Sequence, residues 1–438
     1  MNAFLINILL YLFTFGFFVI KDKKYSLRVV CWGLFTIFAS ASFFTIETGI
    51  YYKQFGHYAG KTPSIIPFIF NYILIYVLTY GLKGYEKIAI NIHSKVFSRP
   101  FVKYAENIII IISILYFMMV VVAASILSSL NLGDIYDSIH NGENVLVFPA
   151  QWMNIVYYRS QQILNVAYPF IYLIEFIKIS TNQNIRRSTF VLFLVFIPQV
   201  ISCAVMANRA GVIFNIFSFV FFILIFWKYL NLTVRRSIKS FGILFLVLII
   251  MALSAISLSR AGNNSKDSTF DALRYFGESF PNLAYQIWDV NGHYLMGMRT
   301  FPSIYSMFHS MPIDLQDANF YERHIFFDDL SGYPIMCFKT FYGDLYCEWG
   351  PIMPFVFVIG FVLVSFLLRN LLENTVFSLV VVYFIYYTIV WGLFGANQFS
   401  ENGFEQLFWD VVIAYILNKI IFIKKNARRN SCCLNVNL

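Results

Sequence analysis

The chain has 438 residues, 59% of them hydrophobic and 13% charged. The charged share is about half that of a soluble domain, so one water-facing core cannot absorb the apolar side chains, and lipid must solvate much of the surface. The net charge of +9 sits in short clusters beside apolar runs, such as Lys21-Asp22-Lys23-Lys24, Arg186-Arg187, Arg235-Arg236 and Lys424-Lys425; this is the placement of topology determinants and not of a nucleic-acid footprint.

Apolar runs of about 18 or more residues recur along the chain, each long enough to cross a hydrocarbon layer of roughly 30 Å as a helix that satisfies its own backbone. The alternating segments of a membrane barrel are absent. In chain order the runs fall at 3–20, 29–46, 64–82, 108–130, 161–178, 189–206, 212–230, 241–258, 342–368, 376–396 and 404–423. The expected fold is an all-α polytopic membrane protein with about eleven transmembrane helices. An odd number of spans puts the termini on opposite sides. Alternate connections then carry about 22 of the 32 Lys and Arg residues in roughly 80 residues on one side, and 10 in roughly 140 on the other. By the positive-inside rule the dense side is cytoplasmic, so the N-terminus is expected outside and the C-terminal tail from Lys424 inside. The first run lacks the basic n-region and small-residue cleavage site of a signal peptide and reads as a first span.

Three sections follow: 1–258 with spans one to eight, 259–341 as a long periplasmic loop, and 342–438 with spans nine to eleven and the tail. The cytoplasmic connections are short, 83–107 being the longest, which leaves no room for a soluble ATPase or catalytic domain there. The long loop is rich in aromatics, including Tyr275, Phe280, Tyr285, Trp288, Tyr305 and Phe327, interleaved with charges. That is the composition of a folded, partly helical segment packed back over the bundle. Cys337 and Cys347 are the cysteines expected on or near the outer face, where a disulfide is open to them.

No G-x-x-x-x-G-K-[ST], G-x-G-x-x-G after a strand, H-E-x-x-H or Asp-x-Asp metal motif occurs, so neither a nucleotide nor a metal cofactor is expected. The informative residues are charges on the side where basic residues are scarce. Arg209 and Arg260 each open an Arg-Ala-Gly corner at the end of an outward-going run, at headgroup depth. There a guanidinium can fork onto phosphate oxygens, as a lipid-linked pyrophosphate would present them, or simply snorkel from a helix end. Arg274, Arg299 and Arg323 add further guanidinium groups in the loop. Asp344 and Glu348 lie four apart on one helix face, and Glu405 and Asp410 fall in the last run. Such carboxylates could orient a sugar hydroxyl, neutralise an arginine, bind a coupling ion or form ion pairs within the bundle. For a group that removes a proton from a hydroxyl, the loop offers His309, His324 and Glu322, with His293 and Glu278 besides; Glu322-Arg323-His324 is the densest cluster.

The span layout, the late outer loop and the run Thr340-Phe341-Tyr342-Gly343-Asp344-Leu345-Tyr346-Cys347-Glu348-Trp349-Gly350 together resemble the Wzy-type O-antigen and capsule repeat-unit polymerases. Gly343, Tyr346, Glu348, Trp349 and Gly350 carry most of the likeness. The Arg-x10-Gly pattern of some members is not matched, since Val220 and Asp271 stand where glycine would follow Arg209 and Arg260. The resemblance implies a metal-independent glycosyltransferase of the bacterial inner membrane that joins oligosaccharide repeat units carried on undecaprenyl pyrophosphate at the periplasmic face. Its implied partners are that lipid-linked oligosaccharide and membrane lipids, with a chain-length regulator as a further candidate and no nucleic acid. In that scheme Arg209 and Arg260 hold the pyrophosphate, and an outer His or carboxylate takes the acceptor proton. Two other functions fit the same layout: an O-antigen ligase, which shares the donor, and an exporter or flippase of lipid-linked sugars. Paired halves with matching Gly/Pro-interrupted spans, a frequent mark of transporters, are not found.

Overall fold

The computed structural model describes the chain except for residues 1, 23–25, 86–99, 129–134, 136–137, 139–144, 207–208, 241–267, 313–319, 336 and 435–438. Among the described residues all regular structure is helical. The principal helices are α1 (Ala3–Asp22), α2 (Leu27–Glu47), α3 (Ile66–Gly81), α4 (Pro100–Leu127), α5 (Gln151–Ser180), α6 (Ile185–Val205), α7 (Arg209–Phe226), α8 (Ser268–Gly277), α9 (Pro302–Phe308), α10 (Phe320–Ser331), α11 (Thr340–Trp349), α12 (Met353–Leu371), α13 (Ser378–Trp391) and α14 (Glu401–Leu434). Seven of them, α1, α2, α4, α5, α6, α7 and α12, are long and apolar enough to cross a membrane, so the chain is a multi-pass membrane protein. The shorter apolar helices α3 and α13 lie among them. The run at 241–258, expected as the eighth span, lies outside the described residues.

Helix faces follow from lipid as solvent. Helix α1 buries Phe4, Asn7, Tyr11, Thr14 and Phe18, a stripe of three- and four-residue steps. Its other side exposes Leu12, Phe13, Phe17 and Ile20, which would be intolerable in water and costs nothing against acyl chains. The buried stripe also carries the polar groups. Asn71 of α3 donates to the Tyr11 hydroxyl (3.0 Å) and accepts from the Tyr342 backbone N–H (3.1 Å), joining α1, α3 and α11.

At one end of the bundle, here the loop end, lie the start of α1, the end of α2, the start of α3 and the end of α13, all covered by the described residues among 268–349. Helix α8 lies along α2, where Gly277 allows a close approach: a Cβ there would sit 2.2 Å from Thr45 Oγ1 and 2.7 Å from the Ala41 carbonyl oxygen. Helix α8 is followed by a π-helix at Asn282–Trp288. Asn282 accepts from the Tyr51 hydroxyl (3.0 Å) and donates to the Phe338 carbonyl (2.7 Å). Most loop aromatics pack in the same way. Tyr285 stacks between Tyr51 and Tyr58, and Tyr275 meets Phe338 and Phe394.

The opposite end is fastened by its own charges. Arg369 Nη1 donates to the carbonyls of Gly81 (3.1 Å) and Lys83 (3.2 Å), satisfying acceptors left open at the end of α3. Lys178 of α5 pairs with Glu106 of α4 (2.7 Å) and Glu175 (3.0 Å), while Arg187 of α6 takes the other Glu106 oxygen (2.7 Å). Some basic residues read as topology signals are therefore also clamps between neighbouring helices.

One expected span is divided. The run 342–368 is not continuous, because Gly350 has φ +75° and Pro351 follows it, so α11 stops and α12 starts anew at Met353. At about 15 Å long, α11 cannot cross the hydrocarbon and packs against the loop-end tips of α3 and α13 instead.

Gly277→Ala is expected to destabilise the protein by about 1–3 kcal/mol through overpacking against α2, read as a lower thermal midpoint in detergent. Gly360→Ala in α12, with nothing within 4 Å of the added methyl, is the control and should leave the midpoint unchanged or raised.

Candidate functional site

The site grows from α11. Two strand-like hydrogen bonds tie its start to the end of α13: Lys339 N–H to the Phe394 carbonyl (3.1 Å) and Phe341 N–H to the Gly392 carbonyl (2.9 Å). Between them Thr340 takes φ +66°, a region that a β-branched residue rarely occupies and that is held here by those flanking bonds. Gly343 lets α11 press on the π-helix, since a Cβ would lie 3.0 Å from Leu283 Cδ1. Asp344 and Glu348, one turn apart, then face the same way.

Arg299 meets both. It comes from the turn 296–300, which is pinned to the end of α11 by Leu295 N–H to the Cys347 carbonyl (3.1 Å) and Met296 N–H to the Glu348 carbonyl (2.8 Å). Gly297, at φ +90°, leaves room for the Trp349 ring. The guanidinium forks: Nε to Glu348 Oε1 at 2.6 Å and Nη2 to Asp344 Oδ1 at 2.7 Å. The remaining carboxylate oxygens are also met, Asp344 Oδ2 by the Ala396 N–H (2.8 Å) and Glu348 Oε2 by the Thr300 hydroxyl (3.3 Å). Lys339, almost wholly buried, lies 3.6 Å from Asp344 Oδ1 and donates to the Ile335 carbonyl (2.6 Å). Two cations balance two anions, which is what makes so buried a group of charges tolerable.

Burial alone would raise the Asp344 pKa, but Arg299, then Lys339, then the Ala396 amide more than offset it and bring it down to about 2. Burial likewise works against the Arg299 charge, and Asp344 and Glu348 overcome it, so its pKa is raised. Asp328 of α10 continues the group outward. Its carboxylate accepts the Ile335 N–H at 2.6 Å, and both Lys339 and His324 are within electrostatic reach; burial nonetheless leaves its pKa raised. A chain of ionisable groups thus runs from half-buried His324 through Asp328 and Lys339 to Asp344, Arg299 and Glu348.

Of the residues singled out from sequence, Arg299, Asp344 and Glu348 come together. Their charges satisfy one another: Arg299 pairs with both Asp344 and Glu348. Arg274 of α8 pairs with Glu278, just past the helix end (3.3 Å). Glu322 and Arg323 lie on the exposed face of α10, and His309 is exposed after α9 with its ring 4.8 Å from that of Tyr305. Arg209 is the first residue of α7 and Arg260 lies outside the described residues. Cys337 and Cys347 are free thiols, so the disulfide open to them on composition is not formed; the Cys337 thiol donates to the Pro334 carbonyl (3.1 Å). Lys339, Thr300 and Asp328 were not legible beforehand. A lysine immediately before an aromatic-rich acidic helix was the one available signal, and it points to no partner by itself.

The cluster also fastens α14. Glu401 N–H donates to the Thr300 carbonyl (2.7 Å), and the Glu401 carboxylate accepts the Ser303 N–H (3.0 Å). What the arrangement does chemically is hold the loop, α11 and the start of α14 in one register. Removing one member strands its partners: Arg299→Met is expected to cost about 3–5 kcal/mol by leaving buried carboxylates uncompensated, measured by thermal unfolding. Because the folded Asp344 pKa is depressed, its stabilising share is fully present above the unfolded value of about 3.9 and is lost as pH falls towards about 2. Asp344→Asn should flatten the acid limb of the stability curve in that window.

No family model matches the chain, and neither does any curated protein or solved structure, so a functional reading rests on the sequence pattern and on this geometry.

Proposed function

We propose that the protein is a membrane glycosyltransferase that polymerises oligosaccharide repeat units carried on undecaprenyl pyrophosphate, with the loop end of the bundle on the periplasmic face of the bacterial inner membrane and about eleven spans in all. The observation that carries this reading is the layer formed by the described residues among 268–349, in which the element Gly343 to Gly350 is built into an ion cluster at the same end of the bundle as the start of α7 with Arg209.

In this reaction the acceptor hydroxyl oxygen attacks the anomeric carbon of the donor. The bond from that carbon to the pyrophosphate oxygen breaks, and the hydroxyl proton passes to a base. The leaving pyrophosphate keeps the bonding electrons, so a guanidinium at headgroup depth lowers the barrier by holding the developing charge. Arg209 and Arg260 are assigned that role. His324 is the favoured base among His309, His324 and Glu322, because it alone of the three stands at the open end of the charge chain through Asp328. Arg299, Asp344 and Glu348 act as positioning residues, since their charges are taken up by one another and the remaining carboxylate oxygens by Ala396 and Thr300.

Loss of the gene should leave surface polysaccharide capped with a single repeat unit, seen as collapse of the ladder on a gel. Loss of even that unit would point to a ligase or flippase. Arg209→Lys keeps charge but not the fork, and should slow chain growth by about ten- to a hundred-fold, the equivalent of roughly 1.5–3 kcal/mol for a hydrogen bond to a charged group. Membrane abundance should be unchanged; full activity would remove the phosphate assignment.

A further inference from the structure

Asp410 differs from every carboxylate described so far. It is fully buried on α14, neither of its oxygens has a hydrogen-bond partner, and no described cation pairs with it. It lies about 13 Å of helix rise below Glu401, near mid-depth of a hydrocarbon layer of roughly 30 Å. Ionisable side chains at such depth are rare and, where they occur, mark a functional site.

Among the described residues no ion pair involves it. Among the described residues, the elements that pack most against α14 are α13, the turn Asn397–Phe399 and α5. The titratable groups they carry are Tyr383, Tyr386 and Tyr387 on α13 and, on α5, Tyr168 and Tyr172, with Tyr157, Tyr158 and Arg159 nearer its start, where Arg159 donates to Gln162 (3.0 Å). The charged residues at the far end of α5, Glu175 and Lys178, are paired with each other and with Glu106. On α14 itself Glu401 accepts from Ser303, Glu405 is exposed, and Lys419 faces Glu373 at 3.9 Å. Tyr168 is within electrostatic reach of Asp410, and its hydroxyl bonds that of Tyr383 (2.7 Å), which in turn bonds Ser218 of α7 (2.9 Å).

Ser218 begins a route to the loop end. Gly211, Asn215 and Ser218 are spaced four and three apart on one face of an otherwise apolar helix. Asn215 donates to the Gly211 carbonyl (2.9 Å) and lies 3.6 Å from the Cys203 sulfur. Gly211 is in the first turn of α7, beside Arg209. In the other direction the seam stops at rings: Phe222 and Phe226 of α7 stack with Phe176 of α5, and Tyr172 lies edge-on to Phe222.

We propose that Asp410 is an intramembrane proton-binding site, held as the neutral acid at neutral pH and exchanging its proton with the loop end of the bundle along the polar face of α7. A proton is favoured over a metal ion because a hard cation asks for several converging oxygens, whereas the hydroxyls of Tyr168, Tyr383 and Ser218 are engaged with one another. Among the described residues no group of three or more metal-ligating side chains occurs. The site stands independently of the polymerase reading.

The full-length protein in lipid nanodiscs, treated at neutral pH with a hydrophobic carbodiimide that reacts with protonated carboxyls, should be modified at Asp410 and not at Asp344 or Glu348, as mapped by peptide mass spectrometry. Infrared difference spectra of wild type against Asp410→Asn should show the carbonyl stretch of a protonated acid, and sodium or potassium should change neither result. Tyr383→Phe, which removes the junction of the hydroxyl chain, should slow the deuterium shift of that band several-fold. A carboxylate band in place of the acid band, absence of modification in the folded wild type, or protection by a monovalent cation would each overturn the proposal. If Asp410→Asn fails to accumulate, labelling of the wild type decides by itself.

Discussion

The fork of Arg299 onto Asp344 and Glu348 is the interaction on which the loop end of this protein depends. Charges placed at the edge of a hydrocarbon layer survive only in company, and here one guanidinium serves two carboxylates while Lys339, Thr300 and the Ala396 amide complete their acceptor sites. The partners come from three separate stretches of chain, 299–300, 339–348 and Ala396. Satisfying the charges therefore fixes the turn 296–300, α11, the end of α13 and the start of α14 relative to one another, which a purely apolar contact would not do with the same directionality.

That arrangement explains the division of the ninth apolar run. If Asp344 and Glu348 continued into the membrane on an unbroken helix, two carboxylates would enter hydrocarbon. Gly350 and Pro351 turn the chain first, so the charged helix stays against the loop-end tips of α3 and α13 and only the apolar α12 goes on to cross. The strained Thr340 and the tight approach at Gly343 belong to the same constraint, since both hold α11 at the depth where its carboxylates meet Arg299.

Two kinds of buried carboxylate coexist in this protein. Asp344 is kept ionised by neighbours of opposite charge, whereas among the described residues none pairs with Asp410, whose oxygens have no hydrogen-bond partner. The first kind gives rigidity; the second is suited to gaining and losing a proton. The paired group lies at the loop end of the bundle and the unpaired carboxylate farther along α14, inside it.

The membrane class, the helical fold and the position of most spans were legible in the sequence, because length and apolarity alone decide whether a helix can cross lipid, and no neighbour has to be known. The identical face of Asp344 and Glu348 was legible too, being a property of one helix. Their partner was not. Arg299 lies 45 residues from Asp344, and several other arginines had the same claim on composition; only folding of the loop chose between them. Lys339 and Asp328 gave no separate signal, and the unpaired state of Asp410 could not be read at all, since the lack of a partner is a property of everything around a residue. The sequence determined by itself what must be in lipid; the tertiary structure decided which charges neutralise one another, because pairing depends on distances across the fold and not along the chain.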